Sequence, residues 1–123
     1  MTADELKRRT MDFAVRVLRL VEALPKTIPG RTVGNQMARS GTSVAANYRA
    51  ALRAKSPADF IHKITIVLEE ADESAFWLQL AERAELLPGK RLKSLLQEAE
   101  ELTKIFNATR TTARRRSTGN RPS

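Results

Sequence analysis

Residues 56–89 read SPADFIHKITIVLEEADESAFWLQLAERAELLPG and carry the clearest helix signals in the chain. Ser56 is a favoured N-cap, Pro57 suits the first helical position, and Asp59 places a negative charge where the helix dipole favours it. Apolar and small side chains then recur at alternating spacings of four and three residues: Phe60, Ile64, Val67, Ala71, Ser74, Leu78 and Ala81. This narrow seam is typical of helices that pack as in coiled coils. A long helix is therefore predicted, and it should stop at Leu87-Pro88-Gly89.

Three further helices are predicted around this one, at residues 3–24, 31–54 and 90–109. Thr2 and Glu5 have the spacing of a capping box at the start of the first helix. Pro25, Pro29 and Gly30 predict a loop between the first two helices. Short loops make neighbouring helices antiparallel, so the sequence predicts an all-α fold, an antiparallel up-down-up-down four-helix bundle.

The 123-residue chain is the right length for one domain and has an uneven distribution of its net charge of +8. Residues 110–123 contain no acid and five arginines, and they lack an apolar pattern. We therefore expect a four-helix bundle at residues 1–109, followed by a basic, flexible and disordered C-terminal tail at residues 110–123.

Several classes of function are disfavoured by composition. The chain has no cysteine, and its one histidine, His62, cannot build the paired Glu-x-x-His motifs of a di-metal bundle. No base for nucleophilic catalysis and no glycine-rich phosphate loop are evident. We expect no enzyme activity, no cofactor and no metal. With neither a secretory signal nor a membrane-spanning segment evident, a cytoplasmic protein without a membrane partner is expected.

The second predicted helix has an acid-free basic face. The stretch from Arg31 to Lys55 has five basic residues and no acidic one, so it forgoes the ion pairs that usually stabilise a surface helix. Its arginines could meet phosphates, or carboxylates of a neighbouring subunit such as those on the third helix. Together with the tail, the predicted nucleic-acid-binding residues are Arg31, Arg39, Arg49, Arg53, Lys55, Arg110, Arg114, Arg115 and Arg116.

A stripe of small polar residues, Gln36, Ser40, Ser43 and Asn47, borders this face at spacings of four, three and four. Such residues can simply lie at the solvent margin. Alternatively, they allow close approach of another backbone, from the same bundle or another subunit, where buried polar groups need specific partners. The second interpretation is preferred, so the stripe is a predicted helix or subunit interface.

A second candidate interface is the outer side of the third predicted helix. Ile66, Trp77 and Leu80 lie opposite its core seam, and a tryptophan flanked by aliphatic residues is typical of an interface centre. Self-association is the preferred interpretation. The alternative is that these side chains cap the core of their own bundle.

The quoted residues also resemble a known family. The pattern comprises Gln36, Arg39, Ser40, Ser43, Val44, Asn47, Arg53, Ser56, Asp59, Phe60, Glu70, Ala71, Glu73, Trp77 and Leu78. Over about residues 13–107, the chain resembles the four helix bundle protein family first noticed as reading frames inside intervening sequences of bacterial large-subunit ribosomal RNA genes. It departs from many members at Ala50-Ala51, where an acid is missing.

The resemblance implies a homopentamer. A related branch, the accessory variability determinant of diversity-generating retroelements, is a basic pentamer that binds nucleic acid and a reverse transcriptase. From the charge pattern and the resemblance, the leading hypothesis is a non-enzymatic homo-oligomer that binds RNA or DNA without base specificity. A reverse transcriptase is a further possible partner. The rival is a protein-interaction scaffold whose basic helix face contacts subunits or partners and no nucleic acid.

Overall fold

A computed structural model of the protein describes residues 1–119, which form four α-helices and no strand. These helices are α1 (Ala3–Ala23), α2 (Ile28–Ala51), α3 (Pro57–Arg83) and α4 (Gly89–Gly119). The all-α, four-helix prediction is therefore confirmed.

The first three helices begin at side-chain caps. The hydroxyl oxygens of Thr2, Thr27 and Ser56 each accept a hydrogen bond from the backbone N–H three residues later, at 3.1–3.2 Å. These bonds satisfy N–H groups that have no partner within the helix. The second helix begins at Ile28, three residues before the predicted start. Pro29 lies in its first turn, where a backbone N–H has no partner within the helix, so proline loses no hydrogen bond there.

The fourth helix corrects the prediction of a disordered tail over residues 110–119. It continues to Gly119, ten residues beyond the predicted end. Ala113 and Ser117 are half-buried at the spacing that continues the face of the buried Phe106, and Ala113 lies across from Phe60 of α3. This contact, together with the good helix propensity of alanine and arginine, accounts for the extension. The rest of the predicted tail, residues 120–123, lies outside the described residues.

Consecutive helices pack side by side and run antiparallel, with α2 between α1 and α3, and α3 between α2 and α4. The contact between α1 and α4 is much narrower, so these two helices close the bundle along a seam. The core between the four helices is apolar and fully buried. Its largest side chains are Phe13, Met37, Ile64, Leu78, Leu92, Leu95, Leu102 and Phe106.

The helices α1 and α2 approach each other closely at Gly41. A Cβ atom placed on Gly41 would lie 2.7 Å from Cγ1 and 2.9 Å from Cγ2 of Val17. At Gly34, two turns earlier, the corresponding contacts with Val21 and Leu24 would be 3.3 Å. Because glycine has no side chain, α2 can approach α1 closely at these two positions. This is one reason that α2 is rich in small residues.

Candidate nucleic-acid and subunit interfaces

The guanidinium of Arg39 is held by carboxylates of its own chain. Its Nη1 lies 3.0 Å from Oε2 of Glu70, and its Nη2 pairs with Glu73. Both carboxylates lie on α3, so the pair ties α2 to α3 inside one bundle. The sequence predicted nucleic-acid binding here. It stays a prediction for Arg39, whose two terminal nitrogens already have anionic partners within the chain.

The small polar stripe is an interface within the bundle at one of its four positions. Ser40 is fully buried, and its Oγ lies 3.0 Å from Oγ of the buried Ser74 on α3. Ser43 and Asn47 are half-buried and bond to each other within α2, where Asn47 Nδ2 donates to the Ser43 carbonyl at 2.9 Å. Gln36 accepts a bond from Arg39 at 3.3 Å. Of the stripe, Ser40 alone is fully buried, and its partner across the helices is Ser74 on α3 of the same chain.

The Ser40–Ser74 pair gives a prediction about stability. Changing either serine to alanine leaves one buried hydroxyl without its cross-helix partner and should cost about 1 kcal/mol. Changing both removes the two polar groups together, so the double variant should lose less than the sum of the single losses. Urea unfolding of the four proteins measures this coupling. Strict additivity would show that the two hydroxyls do not interact.

Seven basic residues of the predicted set lie at one end of the bundle, which we call the basic end. They occupy the last turn of α2, the loop after it and the last three turns of α4: Arg49, Arg53, Lys55, Arg110, Arg114, Arg115 and Arg116. A shallow cavity of about 510 Å³ joins the two segments, with Lys55 on one wall and Arg116 on the other. The extension of α4 therefore brings residues about sixty positions apart in the chain to a common surface.

The charges of the basic end are unneutralised by ion pairs. Among residues 1–119, none of the seven forms a salt bridge with a carboxylate. The nearby acid Asp59 forms its ion pair with Lys63, which is not one of the seven. The backbone N–H of Lys55 and the side chain of Lys63 both bond to its carboxylate at 3.0 Å and lower its pKa. Asp4 and Glu5, in the first turn of α1, are the other acids at this end.

Arg31 does not belong to this surface. It lies in the first turn of α2, about 27 Å along the helix axis from Arg49 at 1.5 Å per residue. There it borders a separate cavity of about 360 Å³ together with Lys26 and Glu22. The predicted set of nine residues is therefore divided into the seven of the basic end, the paired Arg39 and the distant Arg31.

The outer side of α3 carries an apolar patch that the sequence predicted only in part. Leu80 is 39% exposed, and Phe76, which the prediction omitted, is 54% exposed. Trp77 is half-buried against the core, its ring 4.9 Å from that of Phe76, and its Nε1 donates to Glu73 at 3.2 Å. Ile66 is half-buried. Trp77 thus covers the core, whereas Phe76 and Leu80 leave apolar surface in solvent.

None of the helices within residues 1–119 combines the length and the hydropathy of a membrane-spanning segment. No three histidine, aspartate or glutamate side chains within residues 1–119 come together as metal ligands. His62 is exposed on α3.

Comparisons with known proteins agree with the four-helix architecture. Residues 4–108 match the family model described as the 23S rRNA-intervening sequence protein. A solved structure from Bacteroides thetaiotaomicron, a protein with unknown function from the S23 ribosomal protein family, is 33% identical with a TM-score of 0.81. The match covers 90% of this chain and 99% of that one. No curated protein matches the chain.

Proposed function

The chain belongs to the 23S rRNA-intervening sequence protein family, and from that premise we propose that it is a non-enzymatic, self-associating protein that binds nucleic acid through its basic end. The observation that carries the proposal is the clustering of seven cations from α2, the loop after it and α4 at one end of the bundle, none of them in an ion pair within residues 1–119. Guanidinium groups match phosphate oxygens in geometry and charge. Since phosphates are common to every sequence, this binding is without base specificity.

Stabilisation of the helices themselves does not account for seven cations. Positive side chains near a helix C-terminus interact favourably with the helix dipole, but this effect fades beyond the last turn. In α4, the basic residues extend from Arg110 to Arg116, over about two turns. In addition, Arg110 and Arg114 are four residues apart on α4, a spacing at which like charges repel one another in the free protein. A bound polyanion relieves that repulsion.

The proposal is tested by fluorescence anisotropy with labelled single-stranded RNA and duplex DNA at low salt. Micromolar binding to both is expected, because both present phosphates at close spacing. Changing the base sequence at constant length should alter the affinity by no more than a few fold. Absence of binding at tens of micromolar protein, at about 0.05 M salt, would reject the proposal.

Self-association is placed at the apolar patch formed by Phe76, Trp77 and Leu80. Exposed aromatic and aliphatic side chains side by side favour burial against another chain. The family resemblance implies five chains in the assembly.

The prediction is that the unmodified protein elutes as an oligomer in size-exclusion chromatography with light scattering. A variant with Phe76→Glu and Leu80→Glu should elute as a single chain, since the new charges would be buried without partners. Leu18→Glu, at a similarly exposed position on α1, serves as the matched control and should leave the mass unchanged. The placement is wrong if the α3 variant keeps the mass of the unmodified protein.

The rival function, a protein-interaction scaffold without nucleic acid, is favoured by one observation, the pairing of Arg39 with Glu70 and Glu73. This pairing shows that carboxylates of α3 can neutralise the charge of an arginine on α2. Under the rival, charge reversal at Arg49 and Arg53 breaks the oligomer. Under the leading proposal, the oligomer stays intact and nucleic-acid binding is lost. A reverse transcriptase as partner stays a prediction from the resemblance.

A further inference from the structure

The seam between α1 and α4 has two halves with opposite electrostatic character. In one half, Arg9 of α1 is clamped by Glu98 and Glu101 of α4, with N–O distances of 2.6–2.8 Å. The hydrogen bonds to Glu98 are the main cause of the raised pKa of Arg9. In this half of the seam, the charge of Arg9 is therefore neutralised by the facing helix.

In the other half, three arginines converge without a carboxylate. They line a cavity of about 280 Å³ between the two helices, which we call the arginine pocket. Its floor is the buried pair Leu20 and Leu95, and its polar walls are Arg16, Arg19, Arg91 and Ser94. Among the residues that the structure describes, none of these arginines forms a salt bridge.

The arginine pocket is held in shape by a bond across the seam. Arg16 Nη2 donates to Ser94 Oγ at 3.0 Å, which fixes the guanidinium of α1 over α4. The nearest acids along α1 in sequence, Asp12 and Glu22, do not line the cavity. The serine hydroxyl keeps its own hydrogen, so it can donate to a bound oxygen.

The position of Arg91 adds a second electrostatic cost. It lies in the first turn of α4, where the positive end of the helix dipole disfavours a cation, and this turn has no acidic residue. Repulsion among the arginines and the unfavourable interaction of Arg91 with the helix dipole therefore both raise the free energy of the pocket without a ligand. An anion between Arg16, Arg19 and Arg91 would remove both costs and receive several charge-assisted hydrogen bonds.

We propose that the arginine pocket is a binding site for a phosphate group carrying two negative charges. The site goes beyond the proposed function, because it lies about 35 Å along α4 from the basic end, counting 23 residues from Arg91 to Arg114 at 1.5 Å each. Forked guanidinium donors from α1 and α4, together with the hydroxyl of Ser94 on α4, suit the tetrahedral oxygens of phosphate. Such a group occurs on small phosphorylated molecules and at the 5′ end of RNA.

The test uses the full chain and isothermal titration with sodium pyrophosphate at constant ionic strength. The pocket variant carries Arg19→Gln and Arg91→Gln, two exposed positions whose change leaves the Arg16–Ser94 bond in place. The control variant carries Arg8→Gln and Arg83→Gln, which remove the same charge from exposed sites outside the pocket. Circular dichroism verifies that all three proteins fold alike.

The pocket variant should bind pyrophosphate at least about tenfold more weakly, whereas the control should remain within about twofold of the unmodified protein. Equal weakening in both variants, or no binding up to about 10 mM in the unmodified protein, would overturn the proposal.

A second arm identifies the source of the phosphate with RNA oligonucleotides that bear a 5′-phosphate or a 5′-hydroxyl. If RNA ends are bound, the 5′-phosphate should raise the affinity only where Arg19 and Arg91 are intact. If the pocket binds small phosphorylated molecules, the protein should bind pyrophosphate but have the same affinity for the two oligonucleotides. Binding of the 5′-hydroxyl RNA depends on the basic end alone. Failure of nucleic-acid binding at the basic end can therefore be distinguished from failure of phosphate binding in the arginine pocket.

Discussion

Loss of four arginines at the basic end should lower the affinity for single-stranded RNA by about a hundredfold or more at about 0.1 M salt. The basic-end variant carries glutamine at Arg53, Arg114, Arg115 and Arg116. Each arginine that contacts a phosphate releases a counterion, and at this salt concentration each lost contact weakens binding by about fivefold. All four side chains are exposed, so the fold should be unaffected.

The matched control removes the same four charges from exposed positions elsewhere, by glutamine at Arg8, Arg31, Arg83 and Lys104. Fluorescence anisotropy should show that it keeps the affinity of the unmodified protein within a few fold. Equal losses in the two variants would show that net charge, and not the convergence of α2 and α4, governs binding.

The second large effect is expected from one methyl group at Gly41. Gly41→Ala should destabilise the bundle by about 1–3 kcal/mol, because the new Cβ would overlap both Cγ atoms of Val17 in a close-packed contact. Val17 is β-branched and has few alternative rotamers, so α1 and α2 must separate slightly. For a domain of this size, the melting temperature should fall by about 4 °C for each kcal/mol.

Combining Gly41→Ala with Val17→Ala identifies the cause of that loss. The second change deletes the two Cγ atoms that the new Cβ meets, so the double variant should be more stable than the sum of the single effects predicts. Gly89→Ala is the control, since its Cβ would meet only atoms at an ordinary distance of 4.0 Å. A Gly41→Ala variant that melts with the unmodified protein would contradict the close approach.

The start of α3 shows what local sequence signals can determine, whereas its end, at Arg83, comes before the predicted stop at Leu87-Pro88-Gly89. Ser56 and Pro57 form a cap and a first turn whose geometry depends on neighbouring residues only, and the predicted start was correct. The start of α2 was missed because Pro29 suits a loop and a first helical turn equally well. The end of α4 was missed because its contacts with α3 depend on the half-buried Ala113 and Ser117, which arginines surround in the sequence.

The candidate site was predictable in composition but not in arrangement. Angles around a single helix place Arg39 among the outward arginines, yet they do not show which helix lies beside it. Glu70 and Glu73 of α3 reach it from the neighbouring helix, and only the packing of the bundle reveals this. In the same way, Ser40 and Ser43 share a stripe in the sequence, but only Ser40 is turned far enough towards α3 to be fully buried.

The division of charge within the bundle follows from these contacts. The acids of α3 are partly used to hold α2 through Arg39, and those of α4 hold α1 through Arg9. Among the described residues, the cations of the basic end and of the arginine pocket form no ion pair. Ion pairs along the sides of the bundle therefore contribute to helix packing, whereas these two clusters do not take part in them.

The most direct test is the salt dependence of RNA affinity for the unmodified protein and the basic-end variant. The logarithm of the association constant should fall linearly with the logarithm of salt concentration, by about 0.7 for each phosphate engaged on a single strand. Removing four contacts should make that slope shallower by about three units. Identical slopes for the two proteins, or an affinity that does not change with salt, would contradict nucleic-acid binding at the basic end.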